Sequence, residues 1–261
     1  QVGWVDELNP TQTIQGQHPP RTIKAQQDKI TSIAISPDSQ IIASAGADGT
    51  VKLWTIQGQL KSSWKAHQGW VNAIAISPDG STLATAGSDQ TAKLWNLNQE
   101  ANSSSTPRQT LTGHTDSVYS VSFSPDGQHL ATASNDNTAK IWNLNQEAND
   151  RATLLHTLTG HTSSVRNVAW SPDSKLLATA SYDQTAKIWS QDGVLRDTLK
   201  GHSAPAYSVS FSPNGSYIAT ASVDETVRLW SLNPRKLSTL PRSSGAIRSV
   251  SFGPGGKLIA T

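Results

Sequence analysis

The sequence predicts an all-β fold in which four-stranded antiparallel units repeat along one chain. Three recurring phrases predict it. The first ends in Trp and occurs five times, as DGTVKLW, DQTAKLW, DNTAKIW, DQTAKIW and DETVRLW, closing at Trp54, Trp95, Trp142, Trp189 and Trp230. Their spacings of 41, 47, 47 and 41 residues fall in the range where self-similarity marks a repeat architecture. The second phrase lies upstream of each: ISPDS from Ile35, ISPDG from Ile76, FSPDG from Phe123, WSPDS from Trp170 and FSPNG from Phe211, with a sixth, FGPGG, from Phe252. The third is a small residue followed by His, at Ala66-His67, Gly113-His114, Gly160-His161 and Gly201-His202.

One repeat justifies the elements of all. Val118 to Phe123 is apolar and β-rich, and the SPDG after it is turn chemistry. His129 to Ala133 gives the second strand. Asp136-Asn137 makes a tight turn, and Thr138 to Trp142 is the third strand. A fourth, such as Leu155 to Leu158, leads into the next Gly-His. Proline stays in turns and linkers or, at Pro205, just ahead of a strand, so it interrupts no ladder. Four such strands repeated around an axis make a β-propeller. QVGW at the start fits the end of a third strand, and LIAT at the close fits the middle of a second. Residues 1–25 would then supply the outer two strands of a composite blade and residues 247–261 the inner two. The expectation is one domain over 1–261 with about six blades, five contiguous and one composite. The competing and preferred expectation is a fragment of a longer array, of seven blades or more. The chain has no Met, so the expectation is that Gln1 is not a translation start and that the chain was processed or cut from something longer.

These phrases resemble the WD-repeat family, over nearly the whole chain. One departure is plain: Asp never follows the strand Trp, whose followers are Thr55, Asn96, Asn143, Ser190 and Ser231. That Asp is a weak part of the pattern, so the expected fold stands. Repeats this similar to one another resemble those of bacterial, especially cyanobacterial, WD-repeat proteins. The resemblance implies a buried hydrogen-bonded tetrad in a blade. Carried over, the sets are His67, Thr85, Asp89, Trp95; His114, Thr132, Asp136, Trp142; His161, Thr179, Asp183, Trp189; and His202, Thr220, Asp224, Trp230. The first repeat keeps Ser44, Asp48 and Trp54 but has Gln26 in place of His.

Hydroxyl, imidazole and carboxylate together invite a catalytic triad. Four copies argue against a single active site, and a buried Trp N–H and a buried Asp each need partners of this kind. One His per blade is also too few to hold a metal, and no metal or other cofactor is expected. Cysteine is absent, which excludes disulfides and thiolate sites. With 21 basic and 19 acidic residues the net charge is +2, giving no reason to expect nucleic acid or an anionic membrane. No apolar run approaches the ~20 residues that span a bilayer and no signal peptide is visible, so the expected location is cytoplasmic.

Departures from a repeat slot point to function. Eight of the nine Trp take core slots: the five strand Trp, Trp4 as a sixth, Trp64 where other repeats have Ile or Leu, and Trp170 in the slot of Ile35, Ile76, Phe123, Phe211 and Phe252. Trp70 does not, because its slot holds Lys29, Ser117, Ser164, Pro205 and Ala246 elsewhere. The resemblance places this slot, three after the His, on the narrow face near the channel, with the slots five after the His and one before the turn Asp. Those slots bring Asn72, Tyr119, Arg166, Tyr182, Tyr207 and Arg248 to one rim with Lys29 and Trp70. Trp, Tyr and Arg dominate interface energetics. The expected function is therefore a non-enzymatic scaffold or sensor module that binds a protein or peptide there. RNA or single-stranded DNA stacking on the Tyr/Arg rim is the alternative, and a propeller enzyme is the weakest, since the rim lacks Asp, Glu and His. The loops after Trp95 and Trp142 carry six extra residues and share WNLNQEAN, which reads as duplicated, flexible and solvated.

Overall fold

Alternation of large and small apolar side chains along the strands decides how the sheets stack. The computed structural model describes residues 4–6, 23, 28–97, 106–144, 151–233 and 235–261. Most of the two inserted loops, Gln26 and the side chain of Trp4 lie outside the described residues. After β1 (Trp4–Asp6), one compact unit, Ile23–Gly160, holds three four-stranded antiparallel sheets. These are β2 (Ile30–Ile35), β3 (Ile41–Gly46), β4 (Thr50–Thr55) and β5 (Leu60–Lys65); β6 (Val71–Ile76), β7 (Thr82–Gly87), β8 (Ala92–Asn96) and β9 (Gln109–Leu111); and β10 (Val118–Phe123), β11 (His129–Ser134), β12 (Ala139–Asn143) and β13 (Thr153–Leu158).

The other unit comprises Gln1–Thr22 and His161–Thr261. It holds β14 (Val165–Trp170), β15 (Leu176–Ser181), β16 (Thr185–Ser190) and β17 (Leu195–Lys200), then β18 (Ala206–Phe211), β19 (Tyr217–Ser222), β20 (Val227–Leu232) and β21 (Arg235–Thr239). Its last sheet joins both ends of the chain, in the order β1, β23 (Leu258–Ala260), β22 (Ser251–Phe252), with Trp4 opposite Ala260. The chain is thus all-β, with five four-stranded sheets and one composite of both termini. No helix of the described residues is long and apolar enough to cross a membrane.

Each sheet presents two unlike faces, because successive side chains point to opposite sides. On β7, Leu83 joins Trp95 on one face, and Ala84 and Ala86 take the other. The Leu83–Trp95 face packs with Val71 and Ile74 on Ala43, Ala45 and Val51 of the preceding sheet. The alanine face receives Val118, Val121, Phe123 and Trp142 of the following sheet. The second unit repeats the scheme: Ala178 and Ala180 receive Val209, Phe211 and Trp230, and Ala219 and Ala221 receive Ile247, Val250 and Ile259. Side chains also stitch neighbouring sheets, since Ser32 Oγ accepts from Ile74 N at 3.2 Å and Asn167 Oδ1 from Val209 N at 3.0 Å.

Ile35 corrects the sequence reading. Its slot is core in the third, fourth and fifth repeats, where Phe123, Trp170 and Phe211 are buried, yet Ile35 is 56% exposed, with Ile30 and Ile33 beside it at 50% and 64%. A repeat slot is core only when something lies against it, and in the first sheet the large face is open around Ile30, Ile33 and Ile35, while Trp54 of the third strand is buried. The pair Ile33 and Ile74 occupies one slot with 64% and 6% exposure. Ile74→Ala should therefore cost about 2–5 kcal/mol in thermal or denaturant unfolding, as for other large-to-small core changes. Ile33→Ala should stay within about 1 kcal/mol; equal costs would mean that the open face is covered in solution.

Candidate functional site

Two arrangements of polar side chains recur, one buried inside the sheets and one emerging at their ends. The buried one is built on the second strand. Thr85 of β7 lies diagonally from Trp95 across the ladder, because Leu83 is opposite Trp95 and Thr85 is opposite Lys93. Trp95 Nε1 donates to Thr85 Oγ1 at 3.0 Å, His67 Nε2 lies 2.7 Å from the same oxygen, and His67 Nδ1 lies 2.8 Å from Asp89. The set His114, Thr132, Asp136, Trp142 has the same links at 2.8, 2.8 and 3.0 Å. His161, Thr179, Asp183, Trp189 are joined at 2.7, 2.7 and 3.0 Å, and His202, Thr220, Asp224, Trp230 at 2.7, 2.8 and 2.9 Å. In the first repeat Trp54 Nε1 donates to Ser44 Oγ at 2.9 Å.

The carboxylate fixes one direction. An ionised Asp can only accept, so His Nδ1 carries a proton and donates to it, while His Nε2 faces the Thr hydroxyl that also accepts from Trp. The sequence reading missed a fifth member: the Thr two after each turn Asp, as in Asp136-Asn137-Thr138, whose hydroxyl donates to Asp136 Oδ1 at 2.6 Å. Thr91, Thr185 and Thr226 do the same at 2.7, 2.7 and 2.6 Å. The repeated D-x-T of the Trp phrase was the signal. The backbone N–H after each His, at Gln68, Thr115, Thr162 and Ser203, completes the shell.

Burial alone would raise the pKa of these four aspartates, but the hydrogen bonds from His and Thr outweigh it and hold each well below the usual carboxylate range. Burial pushes His202 and His129 below the usual imidazole value, with Asp224 and Asp126 opposing it. All four threonines are 0% exposed, so no reacting group can reach the hydroxyls. Among the described residues no group of three or more His, Asp or Glu could hold a metal ion. A cavity of about 380 Å³ between the second and third sheets is lined by Asp79, Leu94, Arg108, Phe123, Asp126 and Ala152 among others. Asp79 and Asp126 there bind the turn hydroxyls of Ser77 and Ser124 at 2.5 Å.

The second arrangement lies where the first strand begins. In every repeat the backbone N–H of the slot before the turn Asp donates to the carbonyl three after the His slot. The pairs are Ala47 to Lys29, Ser88 to Trp70, Asn135 to Ser117, Tyr182 to Ser164 and Val223 to Pro205, at 2.9–3.0 Å. Those two slots therefore share one end of each sheet. The slot five after the His is a β-bulge: the register skips Thr31, Asn72, Tyr119, Arg166 and Tyr207 in the five repeats. A bulged residue is left out of the ladder and its side chain is re-aimed. A run of apolar residues does not reveal a register shift, so the sequence marked these positions without showing why they differ.

In the Ile23–Gly160 unit, Lys29 is exposed and Trp70 is 52% exposed, with Tyr119 half-buried. Asn72 is committed to the fold, since its Nδ2 donates to Val118 O of the next sheet at 2.8 Å. In the other unit Arg166, Tyr182, Tyr207 and Arg248 come together. The Arg166 guanidinium carbon is 5.0 Å from the Tyr182 ring centroid and 5.5 Å from that of Tyr207, and Arg248 is 5.9 Å from Tyr207. The two rings meet edge-on at 5.1 Å, and Tyr182 donates its hydroxyl to that of Tyr207 at 2.6 Å.

The family model described as WD domain, G-beta repeat matches the chain five times, at residues 17–55, 58–96, 105–143, 152–190 and 193–231. The chain belongs to the WD-repeat family. WD repeats generally mediate protein–protein interactions, and the family is typically non-enzymatic. A search of curated proteins gave no match. Each matched WD repeat ends at the residue after its strand Trp, so every match holds that repeat's Asp, Thr or Ser, and Trp.

Two outcomes follow from the buried network. Asp136→Ala leaves His114, Thr138 and the Thr115 N–H without their acceptor, which should cost about 1–3 kcal/mol. The melting temperature should fall by about 2–4 °C per kcal/mol with an unchanged circular dichroism spectrum; a wild-type melting curve would count against the network. The second concerns pH. His202 and His129 are held low when folded, so the unfolded chain binds more protons below its pKa of about 6.5, and stability falls as pH drops through that value. The aspartates, also held low, keep their contribution until the pH falls below about 4. Melting temperature should therefore decline between pH 7 and 5, and less so in a His129→Gln, His202→Gln protein, whose Gln at the second site copies Gln26 of the first repeat. Parallel declines would refute the assignment.

Proposed function

We propose that this chain is a non-enzymatic interaction module that holds a protein or peptide partner at the bulged ends of its sheets. The observation that carries this is the exposure of Trp70. Nothing in the repeat requires an aromatic there, and Trp70 leaves half of its surface in water, a state that is costly for so large a ring unless something covers it. Support comes from Tyr119 on a bulge in the same unit, and from the Arg166, Tyr182, Tyr207 and Arg248 group at the same slots of the other. Rigid aromatic and Arg side chains on a stiff scaffold give large contact area at low entropic cost. The hydroxyl–imidazole–carboxylate sets are used up in holding each sheet together, which removes the residues an active site of that kind would need.

The test compares partner capture by the wild type with capture by a Trp70→Ala, Tyr119→Ala protein, followed by calorimetry on the purified partner. Trp70→Ala alone should weaken binding by about 2 kcal/mol or more if it is a hot spot, about thirtyfold in Kd, with an unchanged melting temperature. Unchanged affinity in a stable Trp70→Ala protein would remove this reading. Competition by single-stranded RNA together with a steep loss of affinity in salt would replace it with nucleic-acid binding.

A further inference from the structure

We infer that Arg166, Tyr182, Tyr207 and Arg248 form a subsite for an oxyanion, a carboxylate or a phosphate, carried on the side chain of a bound peptide. The inference rests on the interaction-module reading and assigns the ligand chemistry at one of its patches. Arg166 leaves the bulge of β14 and Tyr207 the bulge of β18, so both side chains depart from the ladders of neighbouring sheets toward the same end. Tyr182 stands one before its turn Asp, held by the Tyr182 N–H to Ser164 carbonyl bond at 2.9 Å. Two neighbouring sheets thus contribute three of the residues, and Arg248 comes from the segment that leads into β22.

The rings already serve cations. Arg166 lies over both of them, and Arg248 lies over Tyr207 as well. An aromatic group that holds its own guanidinium offers little to a lysine or methylated amine from outside, and two cations repel a third. A guanidinium over a ring face keeps its N–H donors in its own plane, in the fork that matches carboxylate and phosphate oxygens. Tyr182 spends its proton on the Tyr207 hydroxyl, which keeps a proton of its own to donate. Among the described residues that hydroxyl makes no second hydrogen bond, and Arg248, which is exposed, makes no hydrogen bond or ion pair. Asp183, next to Tyr182, is turned inward onto His161, and Asp224 is turned inward onto His202. The Arg248 charge and the Tyr207 phenol proton are therefore gathered beside the Arg166 guanidinium at one end of these sheets. An anionic group is the ligand that uses all three.

The experiment uses the full chain and four rhodamine-labelled peptides with Gly-Ser flanks: triglutamate, single phosphoserine, trilysine and triserine, read by fluorescence anisotropy. The triglutamate or the phosphoserine peptide should bind and the trilysine and triserine peptides should not; which of the first two binds tells carboxylate from phosphate. Arg248→Ala should weaken that binding at least about tenfold, as loss of a charge-assisted contact does, without lowering the melting temperature. Tyr207→Phe should weaken it less, and Arg248→Glu should abolish it. Trp70→Ala, on the other unit, should leave it unchanged. Equal binding of trilysine or triserine, or wild-type affinity in Arg248→Ala, overturns the subsite. If the subsite fails while Trp70→Ala still loses the captured partner, the interaction reading stands without it. If Trp70→Ala also keeps its partner, both fall.

Discussion

A single buried hydroxyl organises four of the five four-stranded sheets. Thr132 Oγ1 accepts from the Trp142 indole N–H and is hydrogen-bonded to His114 Nε2, so one oxygen joins the second strand, the third strand and the segment that leads into the first. Because that oxygen has no access to water, every partner must be in place, and an orphaned buried group costs more than the bond itself contributes. The strict spacing of His, Thr, Asp and Trp is the imprint of this requirement on the chain. Thr and Trp must sit diagonally across one ladder, and Asp must close the hairpin between them. The turn residue after Asp bears the strain: Gln90, Asn137, Gln184 and Glu225 take left-handed φ of 67–69°, where the first repeat has Gly49 at 78°.

With the hydroxyl fixing these sheets internally, packing between sheets is left to shape. The second strand places Leu on one face and two Ala on the other, so each sheet carries a bulky side and a shallow side. The bulky side of one fits the shallow side of its neighbour within each unit. Dense packing of this kind tolerates few changes of volume, which is why the A-T-A run hardly varies from repeat to repeat.

Strand positions and the tetrads were legible because both depend on local pattern: alternation sets the strands, and fixed spacing sets the hydrogen bonds. Ile35 was misread because burial is a property of what lies opposite, and slot equivalence carries no information on that. The bulge was invisible for a related reason, since V-Y-S-V-S-F reads the same whether or not Tyr119 keeps register with β11. The Thr of D-x-T was in plain view but was taken as strand-forming, because its bond to Asp crosses only two residues and leaves no long-range spacing to notice. The exposed aromatic slot was found by comparing the repeats with one another, a background that the chain supplies for itself.

The bulge separates two kinds of inheritance within one strand. Its flanking residues pair in the ladder, and their range is narrow: the one before is aliphatic in all five repeats (Ile30, Val71, Val118, Val165, Ala206), and the one after is Ser, Ala or Asn. The residue between them has no place in the ladder, and over five repeats it is Thr, Asn, Tyr, Arg and Tyr; Thr31 and Asn72 bond to a carbonyl of the next sheet, whereas Arg166 and Tyr207 join the ring cluster. Duplication of a blade copies the paired letters as a frame and hands on one letter that can be rewritten without breaking the ladder. A chain of such blades is in effect a row of sockets, filled in this chain by hydroxyl, amide, phenol and guanidinium side chains. New surfaces can then be composed one letter per blade while the scaffold beneath them stays constant.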